Sequence, residues 1–377
     1  EAADAPAARP LAPDAEVAER KRGEFTRNGF FHLDRQDIGM THERADALAL
    51  GVVLLMQNGW PASFIFVYDE PWEIIETARE VVQAASGGSK FLGDLFAWYV
   101  DPDRGQKGWG PHRDRMGSGP DSFRADGTPM LSTTWLALTD AGPNNSCVHV
   151  VPRPEDPFYD LQDLPEVDPL AAIFASNPQA YQSIRALACP KGSCWHFSHK
   201  IIHWGSYVGE RSSMRGPVVP RIAMSWVVGD ADFEEPAIPR DLLPFPPVPT
   251  RVAFVMGQQI AYGGQTGLRK GFKNMCFRFF KLHASAFTEF YRDKVEFIHF
   301  CRPAPPKEVH LKERTMAPVD LDSLEFATPQ DDSKLDGLKG MFGTDSDSSS
   351  SDDDDHDDHD GHEDHEDHED HEDHEDH

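Results

Sequence analysis

Along "PWEIIETAREVVQAAS", residues 71–86, the apolar positions Ile74, Ile75, Ala78, Val81, Val82 and Ala85 recur at helical spacing, with Pro at the start and Gly87 and Gly88 beyond the end. The pattern predicts a helix there. Upstream, "VAERKRGEFTRNGFFHL" from Val17 reads as a short charged helix broken at Asn28 and Gly29, running into an extended apolar segment. Downstream the period shortens: "LFAWYVD", "LSTTWLALTD", "SCVHVVP", "GSCWHFS", "RIAMSWVVG" and "RVAFVMG" are short β-rich runs separated by Gly, Pro, Asn and Asp. Many short strands behind N-terminal helices predict a mainly β fold with flanking helices, a sandwich or jelly roll rather than a parallel sheet. From Leu268 to Cys301 the chain is basic, aromatic and helical in texture.

These changes of pattern divide the chain. Residues 1–16 lack apolar periodicity and are expected to be a disordered arm; 17–300 form the compact domain; 301–343 are a Pro-rich, irregular extension; and 344–377 are a disordered acidic, His-rich tail.

Composition sharpens this division. The chain has 377 residues, 39% of them hydrophobic, enough for a substantial core. Of the formal charge of −28, the stretch from Asp345 to His377 contributes 19 acidic residues with 8 His and no Lys or Arg, so the body carries about −9. Such a body is not expected to bind nucleic acid, even though "LRKGFKNMCFRFFK" at 268–281 mixes basic and aromatic side chains; an amphipathic helix packed on the domain is the ordinary reading. The repeated "HED" of the tail combines two competent ligand types and is expected to bind divalent metal weakly. No run of about 18 apolar residues marks a membrane span, so a soluble protein is expected. Five Cys (147, 189, 194, 276 and 301) without a Cys-x-x-Cys pair indicate neither a disulfide framework nor a zinc ribbon and favour a reducing, intracellular setting. The start at Glu1 within an Ala/Pro-rich stretch reads as a trimmed product whose address is not legible.

The chemistry centres on "KGWGPHRDRMGSG", residues 107–119, where His112 and Asp114 stand two apart. On a strand that spacing puts both side chains on one face. The same spelling recurs at His32 and Asp34 and at His362 and Asp364, so it is informative only with a third ligand from elsewhere. In "GSCWHFSHKIIHWGS" the candidates are His196, His199 and His203; His203, where an apolar run meets Trp204, Gly205 and Ser206, is the best placed. Two His and one carboxylate suit non-haem Fe(II) with open positions, and they equally suit zinc. In "PRIAMSWVVG" alternation sets Arg221, Ala223, Ser225 and Val227 opposite Ile222, Met224, Trp226 and Val228. A guanidinium among small neighbours is what a pocket for a small carboxylate requires, which favours iron with a carboxylate cosubstrate.

"FTRNGFFHL", "HRD" at 112–114, "TTWLALTDAGPNNSCVHVVP" at 133–152, "HKIIHWGS" at 199–206 and "PRIAMSW" at 220–226 resemble, in order, the motifs of the phytanoyl-CoA hydroxylase-like family of Fe(II)/2-oxoglutarate dioxygenases. The resemblance implies a double-stranded β-helix (jelly-roll, cupin-like) core. It also implies iron held by His112, Asp114 and His203, Arg221 paired with the distal carboxylate of 2-oxoglutarate and assisted by Ser206, and Trp135 lining the cosubstrate pocket. The reaction implied is hydroxylation of an unactivated C–H bond in a small organic substrate, with O2 consumed and 2-oxoglutarate converted to succinate and CO2. Two departures stand out. "PRPE" at 152–155 replaces the family's Pro-Gly-Ser-His, and the gap from His203 to Arg221 is long and contains Arg211 and Arg215, which compete for the carboxylate. Arg113, Arg115, Arg124 and Lys200 place positive charge near the expected mouth; a solvated rim is the ordinary reading, and recruitment of an anionic substrate is the alternative. The competing reading is an inactive barrel whose acidic His-rich tail binds metal or basic partners; a zinc hydrolase built on the same three residues is a third.

Overall fold

The computed structural model describes residues 14–115, 118–162, 167–206, 219–243, 245–263 and 269–300. Arg211, Arg215, the 301–343 extension and the acidic tail lie outside the described residues.

The first helix, α1 (Ala15–Asn28), begins inside the expected arm because Asp14 caps it: its carboxylate accepts the N–H groups of Glu16 and Val17 at 2.9 and 3.3 Å. It stops at Gly29, whose left-handed φ of 85° lets its N–H reach the Phe25 carbonyl. The chain then enters β1 (Phe30–Leu33). Helix α2 (His42–Gln57), capped by Thr41, has no counterpart among the expectations; α3 (Glu70–Ala85) falls where the apolar spacing places it.

Seven further strands follow: β2 (Lys90–Val100), β3 (Leu131–Ala137), β4 (Val148–Val151), β5 (Arg185–Leu187), β6 (Cys194–Ser198), β7 (Ile202–Gly205) and β8 (Arg221–Gly229). The short helix α4 (Pro169–Ser176) lies between β4 and β5. All pairings are antiparallel and form two sheets, a larger one in the order β1-β6-β3-β8-β2 and a smaller one in the order β5-β4-β7. Trp135, Ala137, Phe197 and Ala223 of the larger sheet meet Val148, Val150 and Leu187 of the smaller in one buried cluster, so the core lies between the two faces.

One expectation needs correction. "RVAFVMG" is not a strand but part of α5 (Val248–Ala261). Burial is almost unbroken from Thr250 to Ile260, and a helix apolar on every side has no 3.6-residue signature to read. In β8 both sets of alternating side chains are buried, because α2 packs on β8 while α3 and α5 pack on the adjacent β2. Helices α6 (Lys270–Leu282) and α7 (Glu289–Phe300) then pack against α5, and α6 buries Cys276 and Phe280, as expected of an amphipathic helix.

Candidate metal centre and cavity

His112 and His203 face each other across a single antiparallel bridge, each backbone N–H donating to the other's carbonyl at 3.1 and 3.0 Å. Asp114 lies in the turn that follows rather than on a regular strand, and its N–H donates to the His199 carbonyl at 3.0 Å. The bridge and that bond fix the His-x-Asp segment against the β6–β7 turn. Between the two candidate ligands, Arg113 leads away into the protein, where its buried guanidinium pairs with Asp156 at 2.7 Å and donates to the Lys200 carbonyl.

One donor atom from each of His112, Asp114 and His203 lies within 4.8 Å of the others, and these residues form the only such group among the described residues. The His112 Nδ1 is 2.8 Å from the Gly110 carbonyl and the His203 Nδ1 is 3.2 Å from that of Ile201. A carbonyl only accepts, so both Nδ1 atoms carry the proton and both Nε2 atoms present a lone pair. These Nε2 atoms stand 3.7 and 3.5 Å from Asp114 Oδ1, and that of His112 is buried without a hydrogen-bond partner. The other Asp114 oxygen accepts the Thr133 hydroxyl at 2.6 Å, which orients the carboxylate with Oδ1 toward the histidines. Burial opposes ionisation of Asp114, but His203, His112 and Thr133 outweigh it and hold the carboxyl well below the usual carboxylate range. Burial, reinforced by His112, pushes the His203 imidazole down to about 4. At His112 burial is outweighed by the neighbouring Asp114, which raises the pKa of the ring. Two imidazole nitrogens and one ionised oxygen, converging where one nitrogen lacks a partner, fit a divalent transition metal that would displace any proton held there.

These residues line a cavity of about 620 Å³. Arg221 enters it from β8 with 3% of its surface exposed. No carboxylate of the described residues pairs with it, its Nε is buried without a hydrogen-bond partner, and its guanidinium lies over the Trp135 ring, 5.6 Å from the centroid. Burial pushes its pKa down to about 10, so it remains cationic at neutral pH. A desolvated, unpaired cation is costly unless an anion joins it. Beside it the chain passes closely over itself: a Cβ on Gly205 would stand 2.5 Å from the Gly108 Cα, and one on Gly108 would stand 3.0 Å from an Arg221 terminal nitrogen.

Of the remaining candidates, Trp135 lines the cavity, whereas Ser206 does not; the Ser206 hydroxyl is buried with no hydrogen-bond partner. His196 and His199 bond through Nδ1 to the Thr134 hydroxyl and the Leu131 carbonyl and stay outside the three-residue group. His32 stands 3.5 Å from Asp34 and packs against the Trp195 ring, and His149 stacks on Trp204. The expected basic rim is corrected. Arg115 is bound to Asp94 and Glu234, Arg124 to Asp230 and backbone carbonyls, and Lys200 is buried with its ammonium on the Ser118 and Leu161 carbonyls. Long basic side chains near a cavity mouth can serve as struts, and sequence does not distinguish the two uses.

Thr133 and the aromatic side chains Phe96, Trp98, Trp109 and Tyr262, which have no role among the sequence expectations, line the same cavity. The alternating aromatics of "LFAWYV" and the Trp three residues before His112 were the available signals.

No family model matches the chain, and no curated protein matches it. Solved structures do show likeness. AviO1 from Streptomyces viridochromogenes Tue57 is 18% identical, with a TM-score of 0.40 over 61% of this chain and 100% of its own. SnoN, described as a non-heme alpha ketoglutarate dependent epimerase from nogalamycin biosynthesis, is 16% identical, with a TM-score of 0.39 over 58% of this chain and 85% of its own. EctD from S. alaskensis, solved with 2-oxoglutarate and 5-hydroxyectoine, is 14% identical, with a TM-score of 0.40 over 61% of this chain and 82% of its own.

Proposed function

We propose that this protein is a non-haem Fe(II)/2-oxoglutarate-dependent dioxygenase of the phytanoyl-CoA hydroxylase-like kind. Its catalytic domain, residues 17–300, is built on a double-stranded β-helix (jelly roll), and it hydroxylates an unactivated C–H bond of a small organic substrate. The observation that carries this reading is the convergence of two functions in one cavity: the His112, Asp114 and His203 donors, and the buried Arg221 guanidinium with no carboxylate partner among the described residues. A zinc hydrolase accounts for the first and gives Arg221 nothing to do.

In this reading His112, Asp114 and His203 hold the metal, and Thr133 fixes which Asp114 oxygen faces it. Arg221 receives the distal carboxylate of 2-oxoglutarate in a charge-assisted, forked hydrogen bond, with the Trp135 ring setting the plane of the guanidinium. Ser206, in the segment that resembles the family's His-Gly-Ser element, assists Arg221 once a carboxylate is present. The close passage of Gly108 over Gly205 packs backbone directly beside the Arg221 guanidinium. When bound, Fe(II) with 2-oxoglutarate and O2 supplies the oxidising chemistry, which yields succinate, CO2 and a hydroxylated substrate.

Anaerobic titration of the protein with Fe(II) and 2-oxoglutarate tests the reading through the visible charge-transfer band of the chelated cosubstrate. The band is expected in the parent chain and absent in Asp114→Ala. In Arg221→Ala the 2-oxoglutarate needed to develop it rises at least about tenfold, since a desolvated charge pair is worth more than about 1.4 kcal/mol. A folded, iron-supplied protein without the band overturns the proposal.

A further inference from the structure

The triad and Arg221 account for only part of the cavity. Beside Thr133, Val148, Ser225 and Val227, much of the remaining wall comes from β2, the segment before His112 and the residue that ends α5, and that part is aromatic. Phe96 and Trp98, two apart on β2, stack with ring centroids 5.5 Å apart. Trp109 sets its ring nearly perpendicular to both, at 5.2 and 4.6 Å, and stands 5.5 Å from the His112 ring. Tyr262 meets Phe96 edge-on at 4.4 Å. All four side chains are partly buried and line the cavity. The wall runs from the proposed metal ligands along β2, and a five-carbon cosubstrate pinned at Arg221 would leave much of it uncovered.

Charge limits what can fill that volume. Arg221 is committed to the cosubstrate. Arg115, the other guanidinium next to the triad, is neutralised by Asp94 at 2.5 Å and Glu234 at 2.9 Å, and Arg113 by Asp156. Lys294, which approaches the Tyr262 ring, is 3.6 Å from Asp94. Among the described residues no cation of the lining is left over for a carboxylate or phosphate on the substrate, and none of them would offer a counter-ion to a charged group desolvated there. Aromatic faces, by contrast, favour flat apolar surface in offset or edge-on contact.

We infer that the cavity takes an uncharged, ring-bearing substrate, seated against the wall of Phe96, Trp98, Trp109 and Tyr262 with one edge at the His112, Asp114 and His203 centre. The inference rests on the proposed function for the occupation of Arg221 by 2-oxoglutarate, and it sets aside the anionic alternative for the substrate.

The experiment uses the full chain loaded anaerobically with Mn(II) and saturating 2-oxoglutarate, and equilibrium dialysis against two probes that share a ring system, 2-naphthol and 2-naphthoate. The naphthol is expected to bind at least tenfold more tightly than the naphthoate. Its affinity is expected to fall at least tenfold in Trp109→Leu and in Tyr262→Ala, two separate variants whose melting curves report folding, and to be retained in Tyr262→Phe. Binding of naphthoate equal to or tighter than naphthol overturns the uncharged class. Failure of naphthol to bind, or naphthol affinity unchanged in both folded wall variants, overturns the aromatic seat. The charge-transfer titration separates the two readings: naphthol binding without that band leaves the wall and removes the oxygenase, whereas the band without naphthol binding does the reverse.

Discussion

Single side chains decide whether three candidate ligands become one centre. Thr133 donates to Asp114 at 2.6 Å, and without it the carboxylate is free to turn its other oxygen toward the histidines. Replacing Thr133 with Val keeps the shape and removes the donor. Metal affinity is expected to fall by about 10- to 100-fold, the usual cost of losing a partner that orients a ligand. Titration of Mn(II) by electron paramagnetic resonance reads this directly, and an unchanged affinity would show that the bridge between His112 and His203 suffices. Thr133 went unassigned in the sequence for a physical reason. Its role depends on β3 passing beside a turn 19 residues upstream, and nothing local marks that passage.

At the scale of elements, the site depends on how closely two segments meet. Gly205 ends β7 and Gly108 precedes the His-x-Asp turn, and the two backbones touch beside Arg221, with the Gly205 N–H donating to the Trp109 carbonyl at 3.0 Å. A methyl at Gly205 has no room. Gly205→Ala is expected to cost about 1–3 kcal/mol of stability as the segments move apart. Because the parting occurs at Arg221, the Kd for 2-oxoglutarate should rise as well. Denaturant unfolding and cosubstrate titration of the same variant check both; a change in stability alone would place the contact outside the cosubstrate site. Strand-like texture located most of the elements that frame the cavity, from β2 to β8, since each is short and bounded by turn residues. It misread α5, because a helix buried on all sides resembles a buried strand in composition.

The whole molecule is held partly by groups that must stay neutral. Burial pushes the fully enclosed His196 down to about 3, with Thr134 bonding its Nδ1 and Phe25 and Phe31 packed on its ring. Between that value and an unfolded pKa of about 6.5, the unfolded chain takes up a proton that the folded chain refuses. Stability from this group is therefore complete above about pH 6.5 and is lost as pH falls toward 3. Asp94 acts in the same direction further down: burial alone would raise it, but Lys294 and Arg115 prevail and hold it at about 2, so its contribution is lost below about pH 4. Urea unfolding at a series of pH values should show stability falling from pH 6.5 downward, and His196→Gln should flatten that slope above pH 4 even if it lowers stability throughout. A slope unchanged in the variant would assign acid sensitivity to other groups.

What the sequence determined by itself is whatever depends on neighbours along the chain: the helix at 70–85 from its apolar period, the strand texture from its turn residues, and the His112–Asp114 pair from its spacing. The end of an apolar run also pointed to His203 over His196 and His199, and strand alternation pointed to Arg221. Tertiary structure alone decided which long basic side chains are struts, which hydroxyl orients Asp114, and that Phe96, Trp98, Trp109 and Tyr262 gather into one aromatic wall of the cavity. Those outcomes rest on desolvation and on contacts between residues far apart in sequence. Both are properties of the packed chain, and neither leaves a periodic trace in the order of its residues.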